Sequence, residues 1–470
     1  MIFKKKDSPI QIFALLVIII LLFSPKNKEY YINLKLYMYD SFLTMDPGFS
    51  SFTNLVGTSN PKKSILIQKS PRILINSFLG LNRENEIPKI SLTINFEEYQ
   101  KILEDRARSL KKGLGVDFQN VNGKIEFDGE KIKCKVRLKG DHPDHWRSTK
   151  RMSFRIKIKG KNSILGFKEF SIQKPSARQF PFDISFQELQ KNTGNLSSNS
   201  DLVRLIVNNE DWGVMLVEEL MTKEFLEKKD LKESLIFKFG DEKIWRFEKL
   251  IDGVYSDYRL SNPYLNYKIY DDTKYLLSLS NRKTMSYVAK EILKNKSPIY
   301  DIDSFSKSLM MSMAWFSSHS ISYWNSRYYF NPYNLKLYPI TTDAGHFGNF
   351  TGPFKIPEFY ERVIQDPLFN ENFKKNQNEV KESLDDSQKI FEKWENYFPL
   401  DEKLNLDLLF QNMESLNEFD KNIFIDKQEG NFRNSFDLSQ KSLLMDHVYA
   451  RHFENGEIHI YNLLNYDLTL

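Results

Sequence analysis

The stretch Ala314–Gly348, AWFSSHSISYWNSRYYFNPYNLKLYPITTDAGHFG, carries a helix end, a polar loop, a hairpin and an aspartate in close succession. Upstream of it, Phe305, Leu309, Met310, Met313 and Phe316 recur at steps of three and four. That spacing places them on one buried face of a helix. Ser317-Ser318-His319-Ser320 is poor in helix formers and ends the helix, and Tyr323-Trp324-Asn325 follows. Arg327–Phe330 and Leu335–Ile340 read as strands around Asn331-Pro332-Tyr333-Asn334, whose residue types suit a tight turn. The second strand runs into Thr341-Thr342-Asp343-Ala344-Gly345.

Protein kinases use this order of helix, Asn-bearing loop, hairpin and Asp to hold Mg-ATP, the Asn and the Asp binding metal ions that bridge the phosphates. One carboxylate and one amide oxygen suit Mg²⁺, which wants hard ligands and keeps room for phosphate oxygens. Asn325 and Asp343 are therefore the candidate metal ligands. The plainer reading, in which Asn325 caps a turn and Asp343 caps the next helix, uses the same residue types.

Outward from this stretch, 470 residues are enough for two or three domains. Lys and Arg number 67 against 62 Asp and Glu, and a net charge of +5 on so long a chain gives no ground for a nucleic-acid partner. The 37 Phe and 23 Tyr supply ample core material. A single cysteine, Cys134, excludes an internal disulfide framework and any multi-cysteine zinc site. The N-terminus opens on lysines, then runs apolar from Ile10 to Phe23 with no small-x-small cleavage site after it. Residues 1–26 read as an uncleaved signal anchor, a single membrane pass that leaves the bulk of the chain outside the cytoplasm. Residues 27–86 read as a stalk or cap.

From residue 87 to 220 the pattern is β-rich. Ile90–Ile94 alternates like a strand, and Asn95-Phe96-Glu97-Glu98 opens a helix through Leu110. Lys124–Phe127, Lys131–Leu138, Ser153–Ile158 and Phe170–Gln173 follow with period-two alternation, as an antiparallel sheet with a basic polar face. Most of that face reads as solvated, but Arg155 and Lys157, after the Gly140–Thr149 loop, stand where a kinase keeps its phosphate-binding lysine. His142, Asp144 and His145 in that loop are too close together for a tetrahedral zinc site without a distant fourth ligand. A helix over Pro181–Lys191 carries Asp183 and Glu188. Strands at Leu202–Val207 and Gly213–Val217 lead into Glu218-Glu219, where a hinge is expected, and a short helix over Thr222–Lys228. Helices are expected over Glu371–Tyr397 and Leu404–Phe419 within a lobe spanning 221–455, and a hairpin over 456–470.

The words VRLKGDHPDHW, FRIKIKG, GFKEFSIQKPSAR, VNNEDWGVMLVEE and NSRYYFNPYNLKLYPITTDA occur in that order between Pro88 and Phe350, and together they resemble the spore-coat CotH-like family of atypical kinases. The resemblance implies an α+β, divergent protein-kinase-like fold, with an antiparallel β-rich lobe, a helical lobe, and ATP with Mg²⁺ or Mn²⁺ between them. It implies phosphate transfer to a protein or cell-envelope saccharide. Residue by residue, Asp343 and Asn325 match the metal ligands, Asp183 or Glu188 the acid that pairs a phosphate-binding cation, and Glu219 the Glu closing the Gly-Val-x-x-x-x element. Two departures stand out: Ser320, beside His319, occupies the place of the Asp that accepts the substrate proton, and no Gly-x-Gly-x-x-Gly pattern covers the phosphates. His319 is then the remaining candidate base. The alternative is a catalytically dead pseudokinase that binds or scaffolds in envelope or surface-polymer assembly.

Overall fold

A computed structural model describes residues 87–115, 118–239, 267–270, 278–294, 298–322, 325–345, 347, 354, 356–395, 406–416, 448–452 and 458–462. The expected anchor and stalk lie outside these residues. Among the described residues no helix is long and apolar enough to cross a membrane.

The chain is α+β. Seven strands close into a barrel: β1 (Lys89–Thr93), β2 (Val121–Phe127), β3 (Glu130–Leu138), β4 (Phe154–Ile158), β5 (Glu169–Gln173), β6 (Ser200–Val207) and β7 (Glu210–Glu219), in the spatial order β1-β2-β3-β4-β5-β7-β6. Neighbours are antiparallel except at the seam, where β1 pairs parallel with β6 and Ile90 stands opposite Leu205. The expected antiparallel sheet is there, closed into a barrel by one parallel pairing. Pairing between strands more than a hundred residues apart leaves no mark in local alternation. Inside, Ile90, Ile125, Val136, Phe154, Ile156, Leu205 and Trp212 are buried, with Phe154 stacked on Trp212 at 5.4 Å between ring centroids.

Helix α1 (Phe96–Lys112) packs beside β2 and β3. Asn95 caps it by accepting from the Glu98 amide at 2.9 Å, Glu97 and Glu98 sit in its first turn and Lys111 and Lys112 in its last, so both ends oppose the helix dipole favourably.

The helical body is built around α5. Its elements are α2 (Phe182–Asn192), α3 (Lys223–Glu227), α4 (Leu279–Leu293), α5 (Ile302–Ala314), α6 (Glu358–Ile364), α7 (Phe369–Asp385), α8 (Ser387–Glu395) and α9 (Asp407–Ser415). Phe305, Leu309, Met310 and Met313 of α5 are fully buried, as their spacing requires, and Phe316 packs partly buried against the same core. The helix expected over Glu371–Tyr397 is two helices, divided at Asp386. A second sheet sits in this body, ordered β11 (Lys336–Ile340), β10 (Arg327–Asn331), β8 (Ile236–Phe239), β9 (Tyr267–Ile269). The hairpin is the expected one, and Tyr328 pairs opposite Phe237. Near the C-terminus β12 (Val448–His452) pairs with β13 (Ile458–Asn462), and the rest of the hairpin expected over 456–470 lies outside the described residues.

Barrel and body share a wall. Leu202, Val214 and Leu216 join the core of the helical body, while Val203, Met215 and Val217 fill the barrel. Strand β7 is therefore buried on both faces from Val214 to Glu219. Glu218 and Glu219 are not a hinge: they pair with Ser171 and Phe170 of β5 and are buried.

Candidate functional site

Alternate residues of a strand face opposite ways, so Glu218 follows Val214 and Leu216 toward the helical body and Glu219 turns away. Glu218 thereby meets the outward side chains of β5 and the residue after β3. The Lys139 Nζ donates to Ser171 Oγ and to Gln173 Oε1, each at 3.0 Å, and lies 3.2 Å from Glu218 Oε2. Gln173 Nε2 donates to the same Glu218 oxygen at 3.0 Å. Arg178, ending the 3-10 turn Pro175–Arg178, donates from Nη2 to both Glu218 oxygens at 3.2 and 3.0 Å. Its Nη1 lies 3.1 Å from Asp343 Oδ1. One guanidinium thus ties the end of β7 to the aspartate after the β10–β11 hairpin.

The Asp343 loop is fixed from three sides. Asp183, buried at the start of α2, accepts from the Ala344 amide at 3.1 Å and from Gln187 Nε2 at 3.0 Å. Ser317 Oγ donates to the Ala344 carbonyl at 2.6 Å, and Trp315 Nε1 to the Gly345 carbonyl at 2.8 Å. Asp343 itself has φ +64, a left-handed conformation that non-glycine residues adopt seldom and that persists where surrounding contacts impose it. Its side chain keeps 31% exposure.

Electrostatics follow from this packing. Burial pushes the Glu218 carboxyl up, but Arg178, Lys139 and Arg327 outweigh it and hold it well below the usual carboxylate range. Asp343 behaves alike: burial is overcome by Arg178, His319 and Arg327, and the group is strongly acidic. Asp183 goes the other way. Burial, with Asp343 and Glu218 nearby, pushes it up to about 6 against the pull of Arg178. Burial also brings Lys139 down to about 8, with Glu218 opposing.

Of the residues picked from sequence, Asp343 and Asp183 belong to this cluster and His319 and Asn325 border it. His319 Nε2 lies 3.4 Å from Asp343 Oδ2, with its ring 56% exposed. Asn325 Nδ2 donates to the His319 carbonyl at 3.1 Å. Arg327 Nη1 joins the Asn325 carbonyl to Thr342 Oγ1, and Arg327 Nε donates to Tyr270 Oη at 2.6 Å. Ser320 is fully buried, its Oγ within 2.8 Å of both Ser312 Oγ and the Ser317 carbonyl, so it braces the loop from inside.

The other candidates are engaged elsewhere. Arg155 Nε donates to Glu169 Oε1 at 2.6 Å, and Lys157 Nζ lies 3.2 Å from Glu169 Oε2 on the barrel flank. Lys139 occupies the position beside the acids that was assigned to them. Glu188 faces α8 and pairs with Lys393 at 3.1 Å. Glu219 pairs with Lys228 at 2.5 Å and accepts from Asn199 Nδ2 at 2.7 Å. In the Gly140–Thr149 loop, His145 is a packing residue: its Nδ1 is 3.0 Å from Ser153 Oγ, and burial lowers its pKa to about 3. Gly140 lies against that ring with φ +96, where an added Cβ would meet His145 Cδ2 at 2.1 Å. Among the described residues no group of three or more His, Cys, Asp and Glu side chains could hold a metal ion by itself.

No protein-family model matches this chain, and no curated protein does. The site therefore rests on its own geometry. Sequence reading passed over Arg178, Glu218 and Arg327. Glu218 had a signal: continuing the alternation of Val214 and Leu216 selects it over Glu219. Arg178 and Arg327 had none, because their roles depend on which acids the fold brings to them.

Proposed function

We propose that the seam between barrel and helical body is a nucleotide and metal site of CotH-like kinase type, passing the γ-phosphate of ATP to a protein or a cell-envelope saccharide. On this reading the barrel takes the place of the β-rich lobe, and the N-terminal apolar run anchors the chain to a membrane with its bulk outside the cytoplasm. The observation that supports it is Asp343: a strongly acidic, partly exposed carboxylate held in left-handed backbone by a buried aspartate, directly after the hairpin.

The donor set fits a metal shared with a ligand. A carboxylate offers about four lone-pair sites, so Asp343 has capacity beyond Arg178 and His319, and Asn325 adds an amide oxygen. Two protein oxygens suit Mg²⁺ or Mn²⁺ when water and phosphate complete the shell. Such an ion, when bound, would neutralise charge building up on the transferred phosphoryl group. The chain's own groups supply the rest. Arg178 and Lys139 hold phosphate oxygens by charge-assisted hydrogen bonds. Glu218 keeps both cations in register, and Asp183 fixes the Ala344 amide and with it the direction of Asp343. His319, exposed beside Asp343, receives the proton of the acceptor hydroxyl.

A second reading is favoured by one observation. The loop position where a kinase carries its catalytic Asp is the buried, fully engaged Ser320, which is what a pseudokinase serving as a binding or scaffolding module requires. Thermal melting with ATP and Mg²⁺ or Mn²⁺ tests both. Binding to the folded state alone stabilises it by about 2.7 kcal/mol at roughly a hundred times the dissociation constant. A metal-dependent rise in Tm that Asp343→Ala removes is expected. Phosphate transfer lost in His319→Ala then selects the kinase over the scaffold, and a chain with no shift under any nucleotide and metal rejects the kinase and leaves the scaffold.

A further inference from the structure

The outer face of the barrel presents an arrangement that stability alone disfavours. Lys124 of β2 stands directly opposite Lys133 of β3, and on the other side of β3 Lys135 stands opposite Lys157 and Arg137 opposite Arg155. Directly opposed like charges destabilise a strand pair, and here three such pairs adjoin. Neighbouring carboxylates relieve them only in part. Glu169 takes Arg155 and Lys157, and Glu98 of α1 feels the charge of Lys135.

The row has a direction. Lys133, Lys135, Arg137 and Lys139 lie at every second residue along β3 and its continuation, so all four project from the outer face while Ile132, Cys134, Val136 and Leu138 fill the barrel. Its last member is the Lys139 that meets Glu218 and, through it, Arg178 and Asp343. A ladder of cations therefore leads across the barrel into the candidate site. Its step is two strand residues, about 6.6 Å, which is also the repeat of alternate side chains in an extended peptide. The face carries no exposed aromatic ring among the described residues, the large exposed apolar side chains all lying elsewhere. Stacking platforms of the kind that hold single-stranded nucleic acid are thus missing from it.

We infer that the outer face of β2, β3 and β4 docks an extended acidic polypeptide segment and leads it toward Asp343. That the segment is the phosphate acceptor rests on the phosphoryl-transfer reading; that the face binds it does not.

The test is fluorescence anisotropy on the full chain with a labelled peptide of alternating Glu and Ser, against the same peptide with Gln for Glu. Lys124→Glu, Lys133→Glu and Lys135→Glu are combined in one variant, with the three Gln substitutions as a milder second set should the reversals impair folding. The Glu-Ser peptide is expected to bind, to weaken as salt rises, and to lose at least tenfold in affinity in the Glu variant and part of that in the Gln variant. The Gln-Ser peptide is expected not to bind. Equal binding of both peptides, indifference to both variants, or tighter binding of oligothymidylate or of phosphatidylserine vesicles at the same face would overturn the inference. Nucleotide-induced melting, read on the same samples, separates the two ideas. Peptide binding without any nucleotide shift keeps the docking face and removes only its role in presenting an acceptor.

Discussion

Two clusters on the same barrel use the same kinds of residue to different ends. On the flank, Arg155 and Lys157 share Glu169, and Lys157 remains 61% exposed. In the seam, Lys139 and Arg178 share Glu218, and all three are largely buried. Glu169 is itself buried, but the exposed Lys157 end of the first cluster contributes only about 0–1 kcal/mol, because water already solvates that charge and salt screens it. In the second cluster each charge has been taken out of water, so each depends on its partners. Residue type does not separate the two kinds of cation; burial and the surrounding acids do.

The comparison breaks or sharpens at particular residues. The largest effect is expected from Glu218→Ala, which strands Arg178 and Lys139 without a counter-charge and should cost about 3–5 kcal/mol in urea unfolding. A loss no greater than that of a surface pair would dissolve the contrast.

Next comes Asp183, whose effect is read from pH. Its carboxyl is raised from 3.8 to about 6 by burial, so between those values the folded chain holds a proton that the unfolded chain has released. Stability from this group is then present below pH 4 and is lost as pH rises toward 6, by up to about 3 kcal/mol at roughly 1.4 kcal/mol per unit. Asp183→Asn keeps an oxygen for the Ala344 amide and removes the titration. The difference in unfolding free energy between wild type and variant should therefore slope across pH 4–6 and be flat above it. A flat difference throughout would place Asp183 in a solvated setting.

The smallest effect is Lys157→Ala, at the exposed end of the flank cluster. It should change stability by less than about 1 kcal/mol, with nucleotide-induced melting unaltered.

How much of this was legible in the sequence depends on range. Period-two and three-to-four-residue spacing located β1 to β7, α1, α2, α5 and the β10–β11 hairpin to within a few residues, since each reports only which face of a local element is apolar. The barrel closure, by contrast, joins Ile90 to Leu205, and no local pattern encodes that pairing. The site divides along the same line. Asp343 and Asn325 stand out as candidates because they flank a readable hairpin, and Asp183 because it opens a readable helix. Lys139 was visible only as one basic residue among many on its strand. Its selection over Arg155 and Lys157 comes from its place at the end of β3, where Ser171, Gln173 and Glu218 converge on its amine.

That selection is the central claim, and one measurement tests it most directly. Nucleotide-dependent melting with Mg²⁺ or Mn²⁺ would be compared in wild type, in Lys139→Met, and in the double variant Arg155→Met with Lys157→Met. The account predicts that Lys139→Met abolishes the nucleotide shift while the double variant retains it. A shift that survives Lys139→Met and vanishes in the double variant would return the phosphate-binding role to the flank and contradict the assignment of the seam.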